Sequence, residues 1–150
     1  MEVGNAKGLK FAIVVSQWNA QVTEALLNGA LAGLTDHGAL EEDVEVVQVP
    51  GSYELISGAD IVLRKQEIHA VICLGCVIQG ETRHFDFICD AVGHGISNVA
   101  LKYNKPVIFG VLTTDNLQQA LDRAGGKHGN KGEEAAITAI QMALLSQKYS

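Results

Sequence analysis

The stretch GCVIQGETRH, from Gly75 to His84, holds the residues whose types and spacing first suggest chemistry. Gly75-x4-Gly80-Glu81-Thr82 comes within one residue of the phosphate-loop pattern Gly-x4-Gly-Lys-Ser/Thr, and it follows an apolar run from His69. Glu81 stands where that pattern needs a lysine, so a nucleoside triphosphate would meet a carboxylate instead of an ammonium. Free amides at the start of the next helix still suit a single phosphate, and Thr82 adds a hydroxyl. His84, in the first helical turn, carries an imidazole whose ordinary pKa lies near neutrality, which suits it to move protons. The expectation is a small phosphorylated substrate and acid–base chemistry, not ATP.

Other side chains could serve the same place. Trp18 is the only tryptophan and falls just past the first apolar run. It can cover a helix start, or it can offer a stacking face to a planar heterocycle. Glu54 follows Pro50-Gly51-Ser52-Tyr53 in a first helical turn, where the helix dipole favours a carboxylate without any ligand. It could equally accept hydroxyl or ring N–H groups, with amides near Ser52 and Tyr53 as donors. Arg123-Ala-Gly-Gly-Lys127-His128-Gly-Asn-Lys131 is the basic cluster of an acidic chain. Cations and glycines at a helix C-terminus need no ligand to explain them. An arginine fork would nonetheless supply the bidentate phosphate contact that the Gly80–Thr82 turn lacks.

Metal and thiol chemistry are disfavoured by geometry. His84 and His94 share one helix and lie about 15 Å apart at about 1.5 Å per residue, too far to share an ion. His37, His69 and His128 read as surface or loop residues. Cys73 and Cys76 are three steps apart on a strand, on opposite faces and roughly 10 Å apart, beyond disulfide reach. No second cysteine pair completes a zinc site. The three cysteines read as reduced thiols, with Cys73 and Cys76 buried. Cys89 points to a different side of the helix from His84, which argues against a Cys–His nucleophilic pair.

The elements that must position these residues follow from periodicity and turn chemistry. Lys10–Ser16 is a β-branched run expected as a buried parallel strand. Asn19 is expected to cap a helix with the stripe Val22, Leu26, Ala30, Leu34, joined by Leu27 and Leu31 and ended at His37-Gly38. A second strand spans Val44–Val49, then Ser52 caps a helix to about Lys65. A third strand spans Ile68–Cys76, followed by a helix from about Thr82 to Tyr103. The fourth strand is Val107–Thr113, Asp115 caps a helix to Arg123, and residues 125–132 form a glycine-rich loop. A last helix runs from Glu133 to about Lys148. This alternation predicts an α/β three-layer sandwich, a four-stranded parallel flavodoxin-like sheet with helices on both faces. With strand order 2-1-3-4 the ligand crevice lies between the first and third strands, Trp18 facing the Val77–His84 turn.

At 150 residues the chain is expected as one domain, 1–150, burying roughly 70% of its unfolded surface. The net charge of −6 and the lack of a basic helix face argue against nucleic-acid binding. No apolar run has the length of a membrane span, and MEVGNAKGLK has no apolar signal core, so the cytoplasm is expected.

Longer motifs now come into view: Val49-Pro-Gly-Ser-Tyr-Glu54-Leu, Leu74-Gly-Cys-Val-Ile-Gln-Gly-Glu-Thr-Arg-His84-Phe-Asp-Phe, Pro106-Val-Ile-Phe109-Gly-Val-Leu-Thr, and Arg123-Ala-Gly with Gly129-Asn-Lys-Gly132. In this order, and across nearly the whole chain, they resemble the 6,7-dimethyl-8-ribityllumazine synthases. The resemblance implies condensation of 5-amino-6-(D-ribitylamino)uracil with 3,4-dihydroxy-2-butanone 4-phosphate, the penultimate step of riboflavin biosynthesis. An imine forms, phosphate is eliminated, and the ring closes with loss of water; no cofactor and no metal are implied. By resemblance, Trp18 stacks on the pyrimidine, Ser52, Tyr53 and Glu54 bind that substrate, and Cys76, Val77 and Ile78 read its ring edge through their backbone. Glu81 and Thr82 match the phosphate turn and His84 the proton-transfer residue. Phe109 and Arg123 match groups that reach the site from a neighbouring subunit, the arginine holding phosphate, and Lys131 fits the same cationic wall. The resemblance also implies a homo-pentamer, a shell of twelve pentamers as in members without an insertion between the last two helices, and association with riboflavin synthase. Trp18 in place of the commoner phenylalanine, the hydroxyl of Tyr53, and Gln79 in place of a frequent arginine bear on affinity and local charge, not on the reaction. Two rival expectations are a non-catalytic flavin or ribityl-ligand binding protein, and a flavodoxin-like signalling domain. The second needs a phosphoacceptor aspartate where this chain has Ser16-Gln17-Trp18-Asn19.

Overall fold

Phe11–Ser16 (FAIVVS) is buried at every position and forms β1, an inner strand of the sheet. Only a run with apolar residues on both faces can occupy that place, because helices cover the sheet above and below. The computed structural model describes residues 2–64 and 67–150. After β1 come α1 (Ala20–Asp36), β2 (Val44–Val49), α2 (Leu55–Leu63), β3 (Ala70–Ile78), α3 (His84–Tyr103), β4 (Val107–Thr114), α4 (Leu117–Asp122), β5 (Ala124–Gly126), β6 (Gly129–Asn130) and α5 (Lys131–Lys148). The main sheet is parallel in the order β2-β1-β3-β4, as the alternation of elements predicts.

Strand parity divides the core in two. Phe11, Ile13 and Val15 of β1, with Ile72 and Leu74 of β3, pack against Val22, Leu26, Ala30 and Leu34 of α1 and the alanines of α5. Ala12, Val14, Val71 and Cys73 face α2 and α3. Cys73 and Cys76 therefore fall in different halves of the core. Burial pushes their thiols up to about 12 and about 11 respectively, so neither is nucleophilic near neutrality.

The boundaries move where side chains divert the backbone. Asn19 does not cap α1 with its side chain: it sits in the left-handed region at φ 62°, and its Nδ2 instead donates to the Cys76 carbonyl at 3.0 Å. Ser52 is not a cap either, but opens a 3-10 turn, Ser52–Glu54, ahead of α2. Lys65, the expected end of that helix, lies outside the described residues. β3 starts at Ala70 because the backbone of Lys10 is engaged by His69, whose N–H donates to the Lys10 carbonyl and whose Nδ1 accepts from its N–H. α3 begins at His84, and Asn116 rather than Asp115 caps α4 by accepting from the Gln119 N–H at 2.9 Å. Residues 125–132 are not a loop throughout: β5 and β6 pair as an antiparallel hairpin, and α5 starts two residues early because Asn130 Oδ1 accepts from the N–H groups of Gly132 and Glu133.

Asp60 fastens α2 to α3. It accepts from Lys102 Nζ and Tyr103 Oη, both at 2.9 Å, and from Arg64 Nη2 at 2.8 Å. The Lys102 and Tyr103 bonds, helped by Arg64, hold its carboxyl at about 2, below the usual 3.8. A folded-state pKa below the unfolded one stabilises the fold above the unfolded value, and that contribution fades as acid is added. In acid titrations followed by circular dichroism, the stability gap between wild type and Asp60→Asn should narrow as pH falls from about 4 to about 2. A gap constant across that range would refute the linkage.

Candidate functional site

The carboxyl ends of β1 and β3 bound a cleft of about 460 Å³, in the size range of small-molecule sites. Trp18, Asn19, Gly51, Ser52, Tyr53, Glu54, Cys76, Val77, Ile78, His84 and Ile88 line it. Its place is set by topology: chain connections leave β1 and β3 in opposite directions, so no helix crosses the gap between their ends.

Backbone bonds hold the segment that carries Trp18. Gln17 N–H donates to the Val49 carbonyl at 2.8 Å and Trp18 N–H to the Pro50 carbonyl at 3.0 Å. Asn19 then turns the chain through its left-handed conformation into α1 while tying the Cys76 carbonyl. The indole is left 74% exposed at the mouth of the cleft, which is not how a cover over a helix start would sit.

The edge of β3 forms the opposite wall. Its last partner on β1 is Leu74, opposite Val15, yet the strand continues to Ile78. Beyond Leu74 the β1 ladder has ended while the other side of the strand stays paired with β4, so on the cleft side the backbone groups of Cys76 and Ile78 have no β1 partner, and Asn19 takes the Cys76 carbonyl. Glu54, half-buried at the end of its 3-10 turn, folds its carboxylate over Gly51. His84 is the first residue of α3 and its side chain is exposed. Its N–H donates to Thr82 Oγ1 at 3.3 Å, so the threonine oxygen is turned onto the helix start rather than left wholly to a ligand. Glu81 and Thr82 lie on the exposed turn before His84 and do not line the cleft itself.

The remaining expected residues lie elsewhere in the protomer. Phe109, 40% exposed on the edge strand β4, lines a separate apolar depression with Ile96, Ala100 and Leu101 of α3. Arg123 and Lys131 line a cleft of about 500 Å³ at the end of β4, together with Gln119, His128 and Glu134. One assembly sets both cations. Arg123 Nη1 donates to the Gln119 carbonyl at 2.9 Å, and the Arg123 carbonyl accepts from Lys131 N–H at 2.8 Å. Asn130, besides capping α5, donates from Nδ2 to the Ala25 carbonyl of α1 at 3.1 Å. This needs Gly29 and Gly132, since a Cβ on the first would collide with Asn130 and on the second with the Leu26 carbonyl.

Asn19, Gly51 and Ile88 in the first cleft, and His128, Gln119 and Glu134 in the second, are lining residues that sequence reasoning missed. Only His128 had a signal, its place inside the Arg123–Lys131 cluster. Among the described residues no group of three or more His, Cys, Asp or Glu could hold a metal ion, and no helix is long and apolar enough to cross a membrane. The first cleft can stack a flat ring, satisfy its polar edge from backbone, accept hydroxyls and transfer a proton. The second is cationic and suits a phosphate.

The family model described as 6,7-dimethyl-8-ribityllumazine synthase matches residues 8–147. Proteins of that name from three bacteria are similar to this chain. The Cytophaga hutchinsonii protein is 60% identical over 141 residues, covering 94% of this chain and 89% of the relative. The Flavobacterium johnsoniae protein is 52% identical over 148 residues, 99% and 78% of the two chains. The Aquifex aeolicus protein is 49% identical over 140 residues, 93% and 91%.

Proposed function

The chain belongs to the 6,7-dimethyl-8-ribityllumazine synthase family, and from that premise we infer how its clefts divide the work. It is a transferase that condenses 5-amino-6-(D-ribitylamino)uracil with 3,4-dihydroxy-2-butanone 4-phosphate, releasing 6,7-dimethyl-8-ribityllumazine, phosphate and water. In our reading, the pyrimidine occupies the Trp18 cleft, its ring against the indole and its edge on the backbone of Cys76, Val77 and Ile78. Ser52, Tyr53 and Glu54 take the ribityl chain. His84 moves protons as the imine forms and phosphate departs, with the Glu81–Thr82 turn beside it.

The phosphate is held by Arg123 and Lys131 of a neighbouring copy, and Phe109 of that copy closes over the ring. What supports this is the separation within one protomer: the cationic cleft and Phe109 lie apart from the Trp18 cleft. Exposed Phe109 and Leu101 are also apolar surface of the kind an interface covers. A ring of copies, with each interface completing a site, fits this arrangement. The further expectations are a pentamer, a shell of twelve pentamers, association with riboflavin synthase, a cytoplasmic location and a single domain over residues 1–150. The family match across residues 8–147 supports the last.

The test is complementation. Trp18→Ala and Arg123→Ala subunits, each of low activity alone, are unfolded, mixed equally and refolded. Random assembly into a ring leaves about a quarter of the shared sites with both native residues. Lumazine fluorescence should therefore recover to about that fraction of wild type. No recovery in mixed particles that size as wild type would reject the shared site.

A further inference from the structure

Asn130 lines neither the Trp18 cleft nor the cationic one, yet its side chain is engaged at both ends. Oδ1 accepts from the N–H groups of Gly132 and Glu133, at 2.8 Å and 3.2 Å, and Nδ2 donates to the Ala25 carbonyl of α1 at 3.1 Å. An amide can do both; a carboxylate has no donor, and a serine hydroxyl is too short to span the two helices. The residue sits between the two cations of the phosphate cleft. Arg123 follows α4 and Lys131 opens α5, joined by a hairpin whose strands are three and two residues long. A hairpin of that size has little stability of its own, so its anchors set its place. Lys131 N–H donates to the Arg123 carbonyl at 2.8 Å, and Ala124 pairs with Asn130 across the hairpin, so the two cations move as one piece. Ala124 gives that piece an apolar anchor in the core, and Asn130 gives it the directional one. Gly29 of α1 makes room for the amide, since a Cβ there would lie 2.6 Å from Nδ2 and closer still to Oδ1.

We propose that Asn130 is a positioning residue for the condensation: it fixes Arg123 and Lys131 against α1 and so sets the affinity for 3,4-dihydroxy-2-butanone 4-phosphate. Charge-assisted bonds to phosphate reward geometry, and a fork displaced by about 1 Å loses the alignment of its donors. The amide touches no substrate, so its effect passes through the two cations. Gly29 joins it from α1, because any side chain there displaces the amide and frees the hairpin. Neither Asn130 nor Gly29 lines the Trp18 cleft, so the pyrimidine should not sense the change.

Because this rests on the reading that Arg123 and Lys131 hold the phosphate, Arg123→Ala is measured in parallel. Asn130→Ala should raise the KM for the butanone phosphate about five- to twentyfold, with kcat and the pyrimidine KM within about twofold. Asn130→Ser keeps an oxygen for the α5 cap but not the reach to Ala25, and should fall between. Gly29→Ala should match Asn130→Ala, although alanine is the better helix former and circular dichroism should show the fold intact. Placed on Asn130→Ala, the Gly29→Ala change should add nothing, since the amide it collides with is gone. An unmoved phosphate KM in Asn130→Ala and Gly29→Ala, with Arg123→Ala raising it, overturns the positioning role and leaves the phosphate reading intact. Additive losses in the double variant overturn it too, as do equal losses for both substrates that track a lowered thermal midpoint. Should Arg123→Ala leave the phosphate KM unmoved, the phosphate reading fails and the positioning role falls with it.

Discussion

Arg123→Ala should raise the KM for 3,4-dihydroxy-2-butanone 4-phosphate by about 30- to 4,000-fold and leave the KM for the pyrimidine within about threefold. A guanidinium presents its donors as a fork matched to phosphate, and such charge-assisted bonds are roughly twice as strong as neutral ones. Truncating one partner of a desolvated charge pair costs about 2–5 kcal/mol, which is the source of that range. The arginine is already set for this role: its Nη1 is tied to the Gln119 carbonyl and its backbone to Lys131. Arg123→Lys should fall between, since a lysine keeps the charge but loses the fork. Steady-state kinetics with each substrate varied in turn decides the matter. Equal losses for both substrates would remove the phosphate assignment.

His84→Ala should lower kcat by about 100-fold or less, within the range for one general acid–base group. The amine of one substrate is already nucleophilic and the ketone of the other already electrophilic. Most of the acceleration should then come from holding them together, which the Trp18 cleft and the cationic wall would continue to do without the imidazole. His84 is exposed at the start of α3 and packs no core, so its removal should not threaten the fold. Single-turnover fluorescence on a variant whose circular dichroism matches wild type makes the measurement. Abolished activity would show the histidine to be indispensable, and an unchanged rate would remove it from the mechanism.

Much of the scaffold was legible in the chain itself. FAIVVS needs cover on both faces, and the stripe Val22–Leu26–Ala30–Leu34 needs a sheet to lie on. Alternation of such segments leaves a parallel sheet as the economical solution. The misfit of Glu81 to a nucleotide loop, and the three-step spacing of Cys73 and Cys76, were equally readable because each is a local matter of geometry. Caps were read less well, since Asn19, Ser52 and Asp115 each have the right chemistry to cap. Asn19 was drawn away by a carbonyl far along the chain, and Asn116 took the place expected of Asp115.

What the sequence by itself determined is therefore the set of elements, their order and the chemical types at the strand ends, since these follow from periodicities of a few residues. Tertiary structure decided that Glu54 joins Trp18, Ile78 and His84 along one cleft, and how far Arg123, Lys131 and Phe109 stand from it within a protomer. It also decided that Asn130 reaches the Ala25 carbonyl of α1. These are distances between residues remote in the chain, and they are set by strand register and helix packing. No short-range pattern encodes them.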